Sequence, residues 1–246
     1  MNPIESTTDF TIAVVILATV IFYYIYFYFV TSGLPEKFCF VFNQPVQKEI
    51  ALFLLKKFSG FLILGLIPGV IYYFFINPDF EKFGFSVEGF NNNLFAIFSL
   101  VITIAIILFI NQKANKQNNS LQINLSEWNI LLFLINAAGW IIYLIGYEFL
   151  FRGILLFECY SSFGFWPAVA INVTIYSAIH MVNGKDQTFG ALIFGGIACY
   201  LTLNQGSILI PIFMHVALSI FSDYFSIRYN ADLNFIKQTS FNLPQK

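Results

Sequence analysis

An all-α bundle that crosses a membrane about seven times is the fold class the sequence predicts, and three observations predict it. The 246 residues are 58% hydrophobic and 10% charged, with a mean hydropathy of +0.75, where a soluble domain of this size carries about 25% charged residues. Apolar runs near the roughly 20 residues that span a hydrocarbon core recur between polar stretches. Lys and Arg gather in alternate connections, as the positive-inside bias requires. A net charge of −1 with no basic block gives no sign of a nucleic-acid partner. Cys39, Cys159 and Cys199 are scattered and odd in number, and read as small apolar residues rather than a metal or disulfide framework.

Each element follows in order. Residues 1–9 are polar and acidic, and 10–30 form a first span, with Tyr23, Tyr24, Tyr26 and Tyr28 gathered towards its end as interfacial aromatics. The run lacks the basic n-region of a cleaved signal, so it reads as a retained helix. Residues 31–57 read as a polar connection carrying Lys37, Lys48, Lys56 and Lys57 against Glu36 and Glu49. The second span is 58–76, whose Gly60, Gly65, Pro68 and Gly69 predict close packing or a kink. Residues 77–92 form a loop, 94–110 a third span, and 111–127 a loop rich in Asn and Gln that closes an N-terminal half.

Ser126 stands as an N-cap before Glu127 and Trp128. The apolar run from there to 160 makes about 50 Å of helix, longer than the ~30 Å hydrocarbon core, so the helix has to tilt, bend or begin in the interface. A turn at 161–167 leads to a fifth span at 168–182, a loop at 183–186, and a short sixth span at 188–203 with Gly190, Gly195 and Gly196 placed for close helix contact. Asn204-Gln205-Gly206 is a tight turn, 207–227 is the seventh span, and the remaining tail is polar. The chain divides into N-terminal membrane helices (1–125), a core with the polar constellation (126–230) and a tail (231–246). The Lys and Arg counts place the N-terminus outside and the C-terminus in the cytoplasm of a multi-pass cell-membrane protein.

The polar constellation begins at Gly146-Tyr147-Glu148-Phe149-Leu150-Phe151-Arg152-Gly153. Glu148 and Arg152 are four apart in an otherwise apolar run, acid before base, the favourable order for an ion pair on one helix face. Ionisable groups in such a run are costly and face a protein interior or a watery cavity. A structural pair that pins two helices accounts for them as well as a functional pair does. Further on, Asn172, Tyr176 and His180 recur every four residues on one face of a span, and His215 and Ser219 do the same, with Asp223 one turn on. Helix lengths bring the groups to one depth: Glu148 lies about 18 Å before the turn at 161–165, His180 about 20 Å after it, and His215 roughly 13 Å from the 204–206 turn.

Tyr147-Glu148-Phe149-Leu150-Phe151-Arg152-Gly153, then Tyr176-x-x-x-His180 and His215-x-x-x-Ser219, resemble the motifs of the CPBP family, the CAAX proteases and bacteriocin-processing enzymes also called the Abi family. The family pattern is Glu-Glu-x-x-x-Arg, Phe/Tyr-x-x-x-His and His-x-x-x-Asn/Asp/Ser, and the resemblance covers about residues 140–225. Two positions depart from it: Tyr147 stands where the family has its first Glu, and Ser219 where Asn is common. The resemblance implies an intramembrane endopeptidase that hydrolyses membrane-associated or prenylated-like peptides through activated water, with membrane lipid and a peptide or protein substrate as partners. Its residue roles carry over as Glu148 for the base, His180 for its partner, His215 and Ser219 for the oxyanion, and Arg152 as orienter. Burial of Glu148 favours the neutral acid and Arg152 favours the carboxylate, a balance suited to a general base. Tyr147, Asn172 and Tyr176 support the substrate or the helices. Whether Glu148, His180 and His215 also hold a divalent metal such as zinc stays open, since two His and one carboxylate make a sensible set. The competing readings are a catalytically impaired scaffold or bacteriocin-immunity protein, and an ion or proton relay, against which stands the lack of an inverted repeat.

Overall fold

The computed structural model describes residues 3–79, 83–87, 94, 98, 101–102, 104–106 and 121–236. Seven helices among them carry the architecture: α1 (Pro3–Thr31), α2 (Leu34–Phe38), α3 (Pro45–Phe75), α4 (Ile130–Phe163), α5 (Phe165–His180), α6 (Lys185–Gln205) and α7 (Leu209–Tyr229). Among the described residues five are long and apolar enough to cross a membrane: α1 from Phe10, α3, α4, α5 continued to Asn183, and α7. This is a polytopic all-α protein. The expected third span at 94–110 and the 111–120 part of the loop after it lie largely outside the described residues.

The chain packs as two units. The first comprises residues 1–27, 61–94 and 145–213, the second 28–60, 95–144 and 214–246.

In the first unit the helix crossings depend on missing side chains. A Cβ on Gly65 of α3 would sit 2.7 Å from the Cα of Gly146 on α4, and one on Gly146 would sit 2.8 Å from the Cα of Phe61. At that approach the backbones themselves touch, as the small residues of the second span predicted. Both helices lose α-helical regularity around this contact. Residues Phe61–Leu66 of α3 and Phe149–Leu156 of α4 are π-helical. In α6 the expectation holds for one glycine of three. A Cβ at Gly195 would meet Tyr176 at 3.1 Å, whereas those at Gly190 and Gly196 would meet nothing within 4 Å. Gly164 (φ 78°) and Gly206 (φ 61°) provide the left-handed backbone that ends α4 and α6.

In the second unit, Phe53, Ile123, Trp128, Leu132 and Ile227 form a buried cluster. Two expectations are corrected here. Residues 31–57 are not one loop, because α3 begins at Pro45 and its first four turns are helical through Lys57. Pro at the first helical position starts that helix without loss of a hydrogen bond. Ser126 is not the cap of α4. Glu127 and Trp128 instead form a two-residue parallel strand with Asn234 and Phe235. Ser126 O accepts from Asn234 N at 2.8 Å and Trp128 O accepts from Ile236 N at 2.7 Å, which holds this backbone extended. Asn129 takes over as cap, its Oδ1 accepting from Leu132 N at 2.8 Å. Glu36, outside the spans, accepts from Lys56 Nζ of α3 at 3.0 Å, and that hydrogen bond holds its carboxyl below the ordinary range.

Candidate active site

Glu148 ends the α-helical part of α4, and Arg152 lies in the π-helical stretch that follows. In a π turn the hydrogen bonds run to i+5, so one residue is accommodated beyond the α-helical count, and such turns recur at functional sites. All eight residues of the stretch are buried. Arg152 Nη1 stands 3.0 Å from Glu148 Oε2, and both side chains are wholly inaccessible to solvent. The pair expected from the four-residue spacing is therefore present.

The face of α5 predicted to be polar meets this stretch. Asn172 Nδ2 donates to the Phe151 carbonyl at 2.6 Å, and Cys199 Sγ of α6 donates to Asn172 Oδ1 at 3.2 Å. Asn172 thus bridges the Cys199 thiol of α6 and a backbone carbonyl of the distorted stretch of α4. Tyr176 is the centre of the group. The Arg152 guanidinium carbon lies 4.2 Å from its ring centre, and the His180 ring centre lies 4.6 Å from it. Glu148, Arg152, Tyr176 and His180 therefore form one continuous series of contacts. Tyr147 is buried as well, 4.7 Å from the Phe151 ring and edge-on to Tyr176 at 5.9 Å.

The tautomer of a neutral His180 follows from its partner. Its Nδ1 lies 2.8 Å from the Tyr176 carbonyl oxygen. A carbonyl only accepts, so Nδ1 carries the hydrogen and Nε2 is the basic nitrogen of the neutral ring. Burial of a carboxylate beside a guanidinium, with an imidazole held in one tautomer two contacts away, supplies the groups for a proton transfer.

His215 and Ser219 belong to the second unit. They are half-buried one turn apart on α7, and Asp223, a turn further on, is 2% exposed and accepts from Asn136 and Trp140 of α4 at 2.7 Å each. Among the described residues no group of three or more His, Cys, Asp or Glu side chains is placed to hold a metal.

Sequence reasoning missed the π-helical stretch, the part played by Cys199, and the donors to Asp223. Only the last left a signal, since Asn136 interrupts the same apolar run as Glu148.

Residues 126–221 match the family described as type II CAAX prenyl endopeptidase Rce1-like. That stretch is similar to the Rce1-like family. The CAAX-protease resemblance read from the motifs is thereby borne out. No curated protein and no solved structure matches the chain. The Rce1-like region takes in Glu148, Arg152, Tyr176, His180, His215 and Ser219, and stops two residues short of Asp223. At family level it supports a membrane-embedded protease acting on a peptide or protein substrate.

Proposed function

We propose that the chain is an intramembrane endopeptidase that cleaves membrane-associated or prenylated-like peptides, with Glu148 as general base. The observation that carries the reading is the wholly buried Glu148–Arg152 pair, set in a π-helical stretch and linked through Tyr176 to His180. In the proposed step Glu148 takes a proton from water, and the resulting hydroxide adds to the scissile carbonyl carbon. His215 and the Ser219 hydroxyl donate to the oxyanion. Collapse breaks the C–N bond, and the proton reaches the leaving amine with the help of Nε2 of His180. Arg152 keeps Glu148 ionised and oriented. The cell membrane, with the C-terminus in the cytoplasm, is the proposed location.

A second reading is favoured by Tyr147, which is 2% exposed at the position where the related enzymes carry their first Glu. In it the chain keeps the fold as a scaffold or immunity-type protein and has lost hydrolysis. Cleavage of a prenylated peptide library in proteoliposomes decides between the two. Activity in the wild type that Glu148→Gln abolishes supports the protease. Absence of cleavage in the wild type, with activity appearing in Tyr147→Glu, supports the scaffold and overturns the protease.

A further inference from the structure

A second polar group lies within apolar helices, in the second unit, and nothing above gives it a task. Asp223 Oδ2 on α7 accepts from Asn136 Nδ2 and from Trp140 Nε1, both on α4 and both at 2.7 Å. Lys57 Nζ on α3 stands 2.9 Å from the centre of the Trp140 ring and 4.6 Å from that of Tyr143. Lys57 and Asp223 are each 2% exposed and Asn136 is fully buried. An amine, a carboxyl group and an amide at this burial are expensive in a membrane protein, and such groups mark places that have a task.

The bonds to Asp223 fix two quantities. Both donors are on α4, one turn apart, so together they set the height of α7 as well as its rotation. At about 100° per residue, Ser219 lies roughly 40° and His215 roughly 80° around α7 from Asp223. Whatever turns Asp223 towards α4 therefore also sets the bearing of those two side chains. Asn136 and Trp140 precede Glu148 by three turns and two turns or so of the same helix, so the anchor is made to the helix that carries the base. Lys57, on its aromatic bed of Trp140 and Tyr143, closes the group from the side of α3.

We propose that Asp223 is a positioning residue, whose two hydrogen bonds to Asn136 and Trp140 hold α7 at the rotation and height that present His215 and Ser219. Its consequence for rate rests on the protease reading above; its consequence for geometry does not.

The geometric consequence is measurable without turnover. The chain has two histidines, so in a His180→Gln background the rate of ethoxyformylation, followed by mass spectrometry in proteoliposomes, reports His215 alone. Asp223→Leu removes the acceptor and should change that rate on the order of tenfold, as loss of two buried hydrogen bonds implies. Asp223→Asn keeps one oxygen able to accept from both donors and should bring the rate back towards the parent's. If Asp223→Leu does not fold, Trp140→Phe removes one donor and should give a smaller change in the same direction. An unaltered His215 rate in folded Asp223→Leu, or in Trp140→Phe where that variant stands in, overturns the proposal, even if cleavage is lost. A shifted rate restored by Asp223→Asn supports it, and if no chain, wild type included, cleaves any peptide, it is the protease reading alone that fails.

Discussion

Glu148 and Arg152 are both wholly buried and 3.0 Å apart, so each is the other's means of carrying charge in a low-dielectric setting. Removing one partner of such a pair typically costs 3–5 kcal/mol, roughly, because the charge left behind has no compensation. Arg152→Ala is therefore expected to lower the yield of folded protein, as size-exclusion chromatography in detergent reports. Arg152→Lys keeps the charge but lacks the planar fork that lies over Tyr176, and should retain folding better than activity. Glu148→Gln differs in kind. The amide is nearly the same shape and its oxygen still accepts from Arg152, although the guanidinium loses its counter-charge. Folded yield should therefore fall less than in Arg152→Ala, while cleavage falls by roughly 10²–10⁴-fold. Tyr147→Phe should change the rate far less, because a phenol with a reference pKa of about 10 is not the resting base near neutral pH. Equal cleavage by wild type and Glu148→Gln would remove Glu148 from the chemistry. The legibility of these residues differs for a physical reason. Glu148 and Arg152 stood out because charge is rare in an apolar run. Lys57 did not, because it follows Lys56 and the pair read as loop. Adjacent residues on a helix point about 100° apart, which lets Lys56 reach Glu36 near the surface while Lys57 lies buried against Trp140.

At the scale of the element, the 34-residue helix α4 carries most of the chemistry, and its departure from α geometry was not legible. Its length and its need to bend were. A π turn has no residue signature of its own and is selected by what packs around it: here the Gly65–Gly146 contact on one side and Asn172 on the other. Those two contacts make separable predictions. Adding a methyl at Gly146 would place it 2.8 Å from the Phe61 backbone, where a side chain cannot simply rotate away. Gly146→Ala should cost about 1–3 kcal/mol, as overpacking does, seen as a lower thermal midpoint in detergent. Gly196→Ala is the control. Its added methyl meets nothing within 4 Å, and a helix-interior Gly→Ala change favours the helix by about 1 kcal/mol. Should both variants melt alike, the close crossing is not what holds α3 against α4. Asn172 acts on the other flank. Asn172→Leu removes the side-chain donor to the buried Phe151 carbonyl, a loss of about 0.5–1.5 kcal/mol. Asn172→Asp should not rescue it, since an ionised carboxylate has nothing to donate.

For the whole molecule, the number and direction of crossings is the question, and α6 decides it. By composition α6 falls short of the five helices apolar enough to span, with Lys185 and Asp186 in its first turn. Its surface argues otherwise. Ala191, Phe194, Gly195, Ala198, Cys199 and Thr202 are buried at helical spacing, while Phe189, Leu192, Ile193, Ile197 and Tyr200 are exposed. A helix with one face packed and an apolar, aromatic outer face is built for lipid contact on that outer face. Its 21 residues give about 31 Å, the thickness of the hydrocarbon core. If α4, α5, α6 and α7 all cross, the chain passes through the membrane four times between Lys116 and the tail, and the two ends lie on one side. The positive-inside count names that side. Without the buried Lys57, residues 31–57 still hold Lys37, Lys48 and Lys56, and Lys113, Lys116, Arg228, Lys237 and Lys246 gather at the loop and tail expected to share their compartment. Reporter fusions after Lys116 and after Gln245 should therefore both read cytoplasm. One fusion on each side would mean that α6 does not cross, and would reduce the bundle by one span. Both outside would keep the four crossings and overturn the orientation.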